Sequence, residues 1–325
     1  MPRAIRIHER GGPEVLRWDE VDVGAPGPGE VLLRHTAVGL NFIDVYYRSG
    51  LYQGPALPFV PGMEAAGVVE ALGEGVTELA VGDRVAYASP PLGAYSEVRR
   101  MVAHRLVKLP ADIDDRTAAA MMLKGMTAQY LLRRIGNIGP GDRILVHAAA
   151  GGVGLIACQW ARHLGAEVIG TVGSDEKARV AAAHGCQYPI VYTREDFVAR
   201  VKEITGGQGV KVVYDSVGKD TFMQSLDCLR PLGTLCSFGQ SSGPIPPLDV
   251  GLLGAKGSLF LTRPTLMTYV ASREDLVATA EDLFAVVRSG AVTIDIKQTY
   301  PLANAGDAHR DLEDRKTAGS TVLLP

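Results

Sequence analysis

Cysteine is scarce in this sequence, and its four cysteines stand far apart. Cys158, Cys186, Cys228 and Cys236 form no C-x-x-C pair and no close cluster with histidine, which excludes the usual sequence patterns of a metal site. The first residues also lack the apolar core of a signal peptide. We therefore expect reduced thiols in a cytoplasmic protein, because disulfides are rare in that compartment.

Runs of basic residues are absent as well. The chain has 33 Lys and Arg against 36 Asp and Glu, a formal net charge of −3, which argues against nucleic-acid binding as the main role. The most apolar stretch, residues 144–161, contains His147 and several glycines, so it predicts a buried strand-to-helix unit rather than a membrane span. A length of 325 residues predicts two domains.

The sequence pattern changes near Asp115. Up to about Lys108 the chain has strand-like segments separated by Gly and Pro, typical of an irregular β-rich domain. A helix is predicted over 117–134, and strands then alternate with helices, which predicts a parallel sheet covered on both faces. The predicted strands are 144–148, 167–172, 188–192, 210–215 and 233–239, with a sixth at 257–262, and the predicted helices are 155–164, 175–184, 196–205 and 221–229.

A glycine turn joins the first of these strands to its helix. The turn contains Ala149, Gly151, Gly152, Val153 and Gly154, an A-x-G-x-x-G variant of the dinucleotide fingerprint. Such glycines allow a pyrophosphate to approach the N–H groups at a helix N-terminus. By itself the motif leaves open a tight strand–helix turn without a ligand.

Several motifs together resemble the medium-chain dehydrogenase/reductase superfamily. They are Pro-Gly-Met-Glu-Ala-Ala-Gly at 61–67, Gly-Asp-Arg-Val at 82–85 and the glycine turn at 149–154. Residues 213–218 (Val-Tyr-Asp-Ser-Val-Gly) and 237–239 (Ser-Phe-Gly) are similar to the zinc-free NADPH:quinone oxidoreductases related to zeta-crystallin. The resemblance implies an α/β fold with a GroES-like catalytic domain (1–123 and 265–325), a doubly wound Rossmann domain (124–264) and a homodimer.

The resemblance also bears on zinc. The metal-binding histidine of the zinc-dependent relatives is replaced by Met63, and two cysteine ligands correspond to Asn41 and about Leu123. We therefore expect no metal. Reduction of a quinone produces a delocalised anion that needs no Lewis acid, whereas alcohol oxidation passes through an alkoxide-like state. Quinone reduction is thus favoured, with 2-alkenal or enone reduction as the alternative.

The choice of dinucleotide depends on the residues after the 167–172 strand. Gly173 and Ser174 stand where NAD-specific enzymes usually carry an acidic residue, and Lys177 follows within one helical turn. With Tyr192 after the next strand, these residues predict a site for the 2′-phosphate of NADPH. The alternative is that Lys177 is an ordinary solvated helix residue.

The remaining candidate site residues come from the resemblance and from strand ends. The resemblance implies that Asn41, Tyr46 and Tyr52 are catalytic and that Asn41 and Thr127 contact the cofactor, although both tyrosines are equally typical of half-buried packing residues. Ligands bind at the carboxyl ends of parallel strands. We therefore add Ser216, Val217, Phe238, Gly239 and Ser241. Arg263 and Arg315 are included as phosphate partners, although lone arginines are more often surface residues.

Non-enzymatic roles form a second class of hypothesis. Relatives in the family serve as lens structural proteins or are linked to RNA, but the net charge of this chain weighs against RNA. The expected partners are a quinone or another small electrophile and a second copy of the chain. Support for the dimer is the apolar segment 257–262, a possible edge strand, because apolar edges tend to be covered.

Overall fold

The computed structural model describes all 325 residues, which form two compact units. The first unit consists of Met1–Met126, Val270–Phe284 and Ile294–Pro325, and the second of Thr127–Tyr269 and Ala285–Thr293. None of the helices combines the length and the apolar character that a membrane crossing requires.

The chain contains fifteen strands and ten α-helices. The strands are β1 (Arg3–Ile7), β2 (Leu16–Glu20), β3 (Glu30–Leu40), β4 (Glu64–Leu72), β5 (Arg84–Ala88), β6 (Val98–Val102), β7 (Val107–Lys108), β8 (Arg143–Val146), β9 (Glu167–Val172), β10 (Tyr188–Val191), β11 (Val210–Asp215), β12 (Leu229–Ser237), β13 (Phe260–Thr262), β14 (Ile296–Pro301) and β15 (Ser320–Leu324). The helices are α1 (Phe42–Ser49), α2 (Asp115–Gln129), α3 (Gly152–His163), α4 (Asp175–Ala183), α5 (Phe197–Ile204), α6 (Phe222–Leu226), α7 (Gly251–Ala255), α8 (Leu266–Tyr269), α9 (Arg273–Arg288) and α10 (Ala305–Glu313).

The first unit is built on a sheet in the order β14-β15-β3-β4-β5-β7, with β6 also paired to β3. Apart from the parallel pair β14–β15, its neighbouring strands are antiparallel. The strand β3 alternates as a half-buried strand should, with Val31 and Leu33 in the core and Arg34 exposed. Tyr87, Tyr95 and other buried side chains fill the same core. The expected β-rich GroES-like architecture is confirmed.

The second unit is a parallel sheet of six strands in the order β10-β9-β8-β11-β12-β13. The chain builds one half outward from β8 and then the other half outward from β11, which is the doubly wound order. Leu145, Ile169 and Val213 lie in its core, in strands that read as nearly continuous apolar runs. The expected Rossmann architecture is confirmed, and β13 is the sixth strand.

Several elements differ from the sequence prediction. The helix predicted over 117–134 is divided in the structure: α2 ends at Gln129, and the chain continues as a π-helix, Tyr130–Ile135. The Leu131 carbonyl of this π-helix accepts a hydrogen bond from Tyr214 Oη (3.0 Å). The helix predicted over 221–229 is shorter because β12 already begins at Leu229. The short elements α1, α10 and β14 were not predicted separately, since sequence periodicity is weak over such lengths.

Candidate nucleotide-binding and catalytic site

The predicted phosphate turn forms a tight junction between β8 and α3. Gly151 is the N-cap of α3 and offers no side-chain acceptor, so the first N–H groups of this helix stay available for an anion. A Cβ atom on Gly154 would lie 2.3 Å from the Ala148 carbonyl oxygen, so glycine is required there for close backbone packing. Ala148 itself adopts a left-handed conformation with φ 53°. The turn therefore has the backbone shape that a pyrophosphate group needs.

A second turn after β9 brings together the residues predicted to face the 2′-phosphate. Ser174 Oγ accepts a hydrogen bond from Lys177 N (3.2 Å) and thereby caps α4. A Cβ atom on Gly173 would lie 3.0 Å from the Tyr192 hydroxyl, so these two residues are in close proximity. The side chain of Tyr192 is 43% exposed and accessible to a ligand.

An acidic residue at this turn is paired with an arginine. Arg194 donates to both carboxylate oxygens of Asp175 (2.6 and 2.7 Å), and this pair holds the pKa of Asp175 below its usual value. The carboxylate at the start of α4 is therefore neutralised by a bidentate partner. The sequence alone does not predict this pairing, because α4 and β10 separate the two residues along the chain.

The ends of β11, β12 and β13 converge in the second unit. Ser241 N donates to the Ser216 carbonyl (3.2 Å), and a Cβ atom on Gly239 would meet the same carbonyl at 2.6 Å. Arg263 Nη1 donates to the Ser237 carbonyl at the end of β12 (2.8 Å). Val217 and Phe238 belong to the same cluster, since Val217 N donates to the Asp215 side chain and Phe238 N to the Asp215 carbonyl.

Asn41 lies in the first unit, at the junction of β3 and α1. Its Nδ2 donates to Glu64 Oε2 (2.7 Å), and the same oxygen accepts from Lys124 Nζ (3.1 Å). Glu64 Oε1 accepts from Leu123 N (2.6 Å), and Met63 immediately precedes the carboxylate. Two of the positions that the resemblance matches to zinc ligands, Asn41 and Leu123, thus contact one buried carboxylate. Nowhere in the chain do three or more His, Cys, Asp or Glu side chains form a cluster able to hold a metal ion.

The other candidates occupy separate places. The rings of Tyr46 and Tyr52 lie 5.0 Å apart, and Tyr52 N donates to the Tyr46 carbonyl (3.0 Å), so the two predicted tyrosines form a pair. Thr127 is buried within α2. Arg315 is exposed beyond the end of α10, in the first unit.

His147 is held in the core of the second unit. Its Nδ1 is 2.8 Å from Thr171 Oγ1 and its Nε2 is 2.9 Å from Ser225 Oγ. Burial lowers the pKa of His147, with Asp215 acting in the opposite direction. Both ring nitrogens are occupied by hydroxyl groups, so this histidine is a packing residue.

Two functional candidates were missed at the sequence level, Glu64 and Lys124. The signal was present, because Lys124 is the only charged residue between Thr117 and Leu132, a segment that is otherwise predominantly apolar. A charge in such a segment is unusual unless it is paired. Its partner lies 60 positions earlier in the chain, and only the fold brings the two together.

Comparison with known proteins places the chain in a family. Residues 27–111 match the family described as alcohol dehydrogenase GroES-like domain, and residues 152–285 match the zinc-binding dehydrogenase family. A quinone oxidoreductase of Pseudomonas aeruginosa is 54% identical over the full length of both chains. The chain belongs to the quinone oxidoreductase family of the medium-chain dehydrogenases/reductases.

Two further relatives are similar to this chain over nearly its whole length. The structure of Escherichia coli quinone oxidoreductase complexed with NADPH superposes with a TM-score of 0.98 at 50% identity, covering 99% of this chain and 100% of that one. A 2-haloacrylate reductase of Burkholderia sp. is also 50% identical, covering 100% of this chain and 99% of its own. Family members of similar identity thus carry names for two different substrates.

Proposed function

We propose that this protein is an oxidoreductase that reduces quinones with NADPH and without zinc. The observation that carries the proposal is the end-to-end match, at 54% identity, to the quinone oxidoreductase of P. aeruginosa. The NADPH complex of the E. coli relative and the N-terminus of α3, which no side chain caps, both support the cofactor. In this proposal residues 124–264 form the cofactor domain, and residues 1–123 with 265–325 form the catalytic domain.

The proposed cofactor supplies a hydride, and the residues of this chain hold and orient it. The second unit offers backbone N–H groups for the pyrophosphate and strand ends for the remainder of the dinucleotide. Catalysis then depends chiefly on proximity and orientation. The proposed cofactor residues are Asn41, Thr127, Ala149, Gly151, Gly152, Val153, Gly154, Gly173, Ser174, Lys177, Tyr192, Ser216, Val217, Phe238, Gly239, Ser241, Arg263 and Arg315, and the proposed catalytic residues are Asn41, Tyr46 and Tyr52.

A second candidate function is reduction of an activated alkene. The identity of 50% to a 2-haloacrylate reductase favours it, because this relative is similar over nearly its whole length. Hydride addition to such an alkene also gives a delocalised anion, so the same site suits both substrates.

The test measures the oxidation of NADPH by EDTA-treated protein as a loss of NADPH absorbance. Quinones, 2-haloacrylates and alkenals are compared under the same conditions, and alcohols are tested in the reverse direction with NADP⁺. Turnover with quinones that persists in EDTA supports the proposal, and turnover with alkenes alone moves the protein to the second candidate. Binding of NADPH without any turnover contradicts both and favours a non-catalytic role.

The preference for NADPH rests on Lys177. Replacement by alanine removes a charged hydrogen bond to the 2′-phosphate, worth about 1.5–3 kcal/mol, so the KM for NADPH should rise about tenfold to a hundredfold. The KM for NADH should hardly change. Steady-state kinetics with both cofactors measure the effect, and Lys202→Ala, an exposed lysine of α5, is the matched control. An equal loss with both cofactors contradicts the assignment.

We further propose a cytoplasmic homodimer that pairs through β13. This strand is the edge of the parallel sheet, and its Phe260 and Leu261 side chains are 59% and 38% exposed. Apolar edge strands are usually paired or covered, because their unpaired N–H and C=O groups recruit other chains. Light scattering at micromolar concentration should give the mass of a dimer, and a monomer alone would overturn the proposal.

A further inference from the structure

A buried ion pair lies directly beside Asn41. The side chains of Lys124 and Glu64 are 7% and 0% exposed, and Lys124 Nζ is 3.1 Å from Glu64 Oε2. The same oxygen accepts from Asn41 Nδ2 (2.7 Å), while Leu123 N occupies the other oxygen. The ammonium group and the Asn41 amide are therefore fixed relative to each other by one carboxylate oxygen.

The surrounding strands leave space for this carboxylate. Gly39 on β3 pairs with Glu64 on β4, and a Cβ atom on Gly39 would lie 2.3 Å from Glu64 Oε2. The same Cβ atom would lie 2.2 Å from the Ala119 carbonyl oxygen, which cannot move independently of its helix. A buried ion pair is weak evidence for stability, because removing two charges from water is costly. Its presence beside a predicted catalytic residue therefore calls for a functional explanation.

The geometry points to Lys124 as a further catalytic residue, and we propose that its ammonium group stabilises the negative charge that develops on the substrate. An ammonium group has three N–H donors, and one is used by Glu64. The other two can donate to a substrate oxygen placed next to Asn41. Glu64 would hold the lysine in position, and so acts as a positioning residue. This inference rests on the proposed quinone reductase activity.

The charge balance of the reaction explains why such a donor is useful. A quinone that accepts a hydride from NADPH becomes a hydroquinone monoanion, NADP⁺ is released, and a proton from solvent completes the hydroquinone. Lys124 donates a hydrogen bond to the oxygen that becomes negative and keeps its own proton. Donors fixed in advance at such a position typically contribute about 10²–10³ in kcat.

The test must separate a catalytic role from a structural one. Lys124→Met alone leaves Glu64 buried without its charge partner, so the double variant Glu64→Gln/Lys124→Met is measured beside it. We expect kcat with quinones to fall about 10²–10³-fold in both variants, while the Kd for NADPH, from fluorescence titration, stays unchanged. Lys108→Met is the matched control, because this lysine of the same unit is paired with Asp83 but is 54% exposed.

A series of benzoquinones with graded hydroquinone acidity gives the decisive readout. If Lys124 stabilises the developing anion, its loss slows the quinones with the most basic hydroquinone anions most, so kcat becomes more sensitive to acidity. A merely structural lysine would lower kcat by the same factor for every quinone, together with the melting temperature, and that result overturns the inference. The inference is also overturned if the wild-type protein is active and the double variant keeps the same kcat with quinones. An inactive wild type would instead refute the proposed function on which it rests.

Discussion

Acidification should act on two buried groups of the first unit, His309 and Asp44, in opposite directions. Arg48 Nη1 donates to His309 Nδ1 (2.9 Å), so the proton of the neutral ring is on Nε2, which donates to Tyr95 Oη (3.0 Å). The Tyr95 hydroxyl donates in turn to Asp44 Oδ2 (3.1 Å). Burial, reinforced by Arg48, lowers the pKa of His309 from 6.5 to about 3. Burial raises the pKa of Asp44 from 3.8 to about 7.

These two shifts contribute to stability in different pH ranges. The contribution of His309 to stability is complete above pH 6.5 and is lost as the pH falls towards 3. The contribution of Asp44 is complete below pH 3.8 and is lost as the pH rises through 7. At about pH 4.5, keeping His309 neutral costs about 3 kcal/mol, and protonation of Asp44 contributes about 3 kcal/mol relative to about pH 7.5. The two effects nearly cancel in the wild-type protein.

Single substitutions should therefore separate these two pH-dependent contributions to stability. Between about pH 7.5 and 4.5, the free energy of unfolding of His309→Asn should rise by about 3 kcal/mol relative to wild type, and that of Asp44→Asn should fall by a similar amount. Urea unfolding at both pH values measures this. Each comparison uses the change with pH within one protein, which separates titration from the hydrogen bonds lost by substitution. His35, whose pKa burial also lowers to about 3, titrates in all three proteins. Parallel pH dependences would refute the reasoning.

Three further substitutions test other parts of the structure. Gly154→Ala places a Cβ atom 2.3 Å from the Ala148 carbonyl oxygen and should lower the free energy of unfolding by about 1–3 kcal/mol. Gly151→Ala, where the corresponding distance is 3.1 Å, should lower it less, and denaturant titration compares the two variants. Phe260→Asp should give monomers in light scattering, unlike Tyr188→Asp on the opposite edge strand of the sheet. Arg194→Ala leaves the acidic residue at the start of α4 unpaired, so the Kd for NADPH from fluorescence titration should rise while that for NADH does not; equal changes would contradict the role in cofactor choice.

Local sequence determined the architecture of the protein. The alternation of apolar strands and helices after Asp115 predicts a doubly wound sheet, because each element shows its own period and its own glycine punctuation. The turn at Gly151 and Gly154 was recognisable for the same reason, since its chemistry lies within one short segment. The assignment of individual residues to cofactor and substrate stays a prediction, because it concerns groups that this sequence only implies.

Tertiary structure decided the partners of the charged residues. Nothing near Lys124 in the sequence indicates that Glu64 will neutralise it, and nothing near Asp44 indicates that Tyr95 will join it to His309. Pairs of this kind are separated by 51 to 214 positions and meet only when the sheet of the first unit forms. Their energies depend on burial and on the orientation of a few N–H and O–H groups, quantities that the fold creates and that no local pattern of residues encodes.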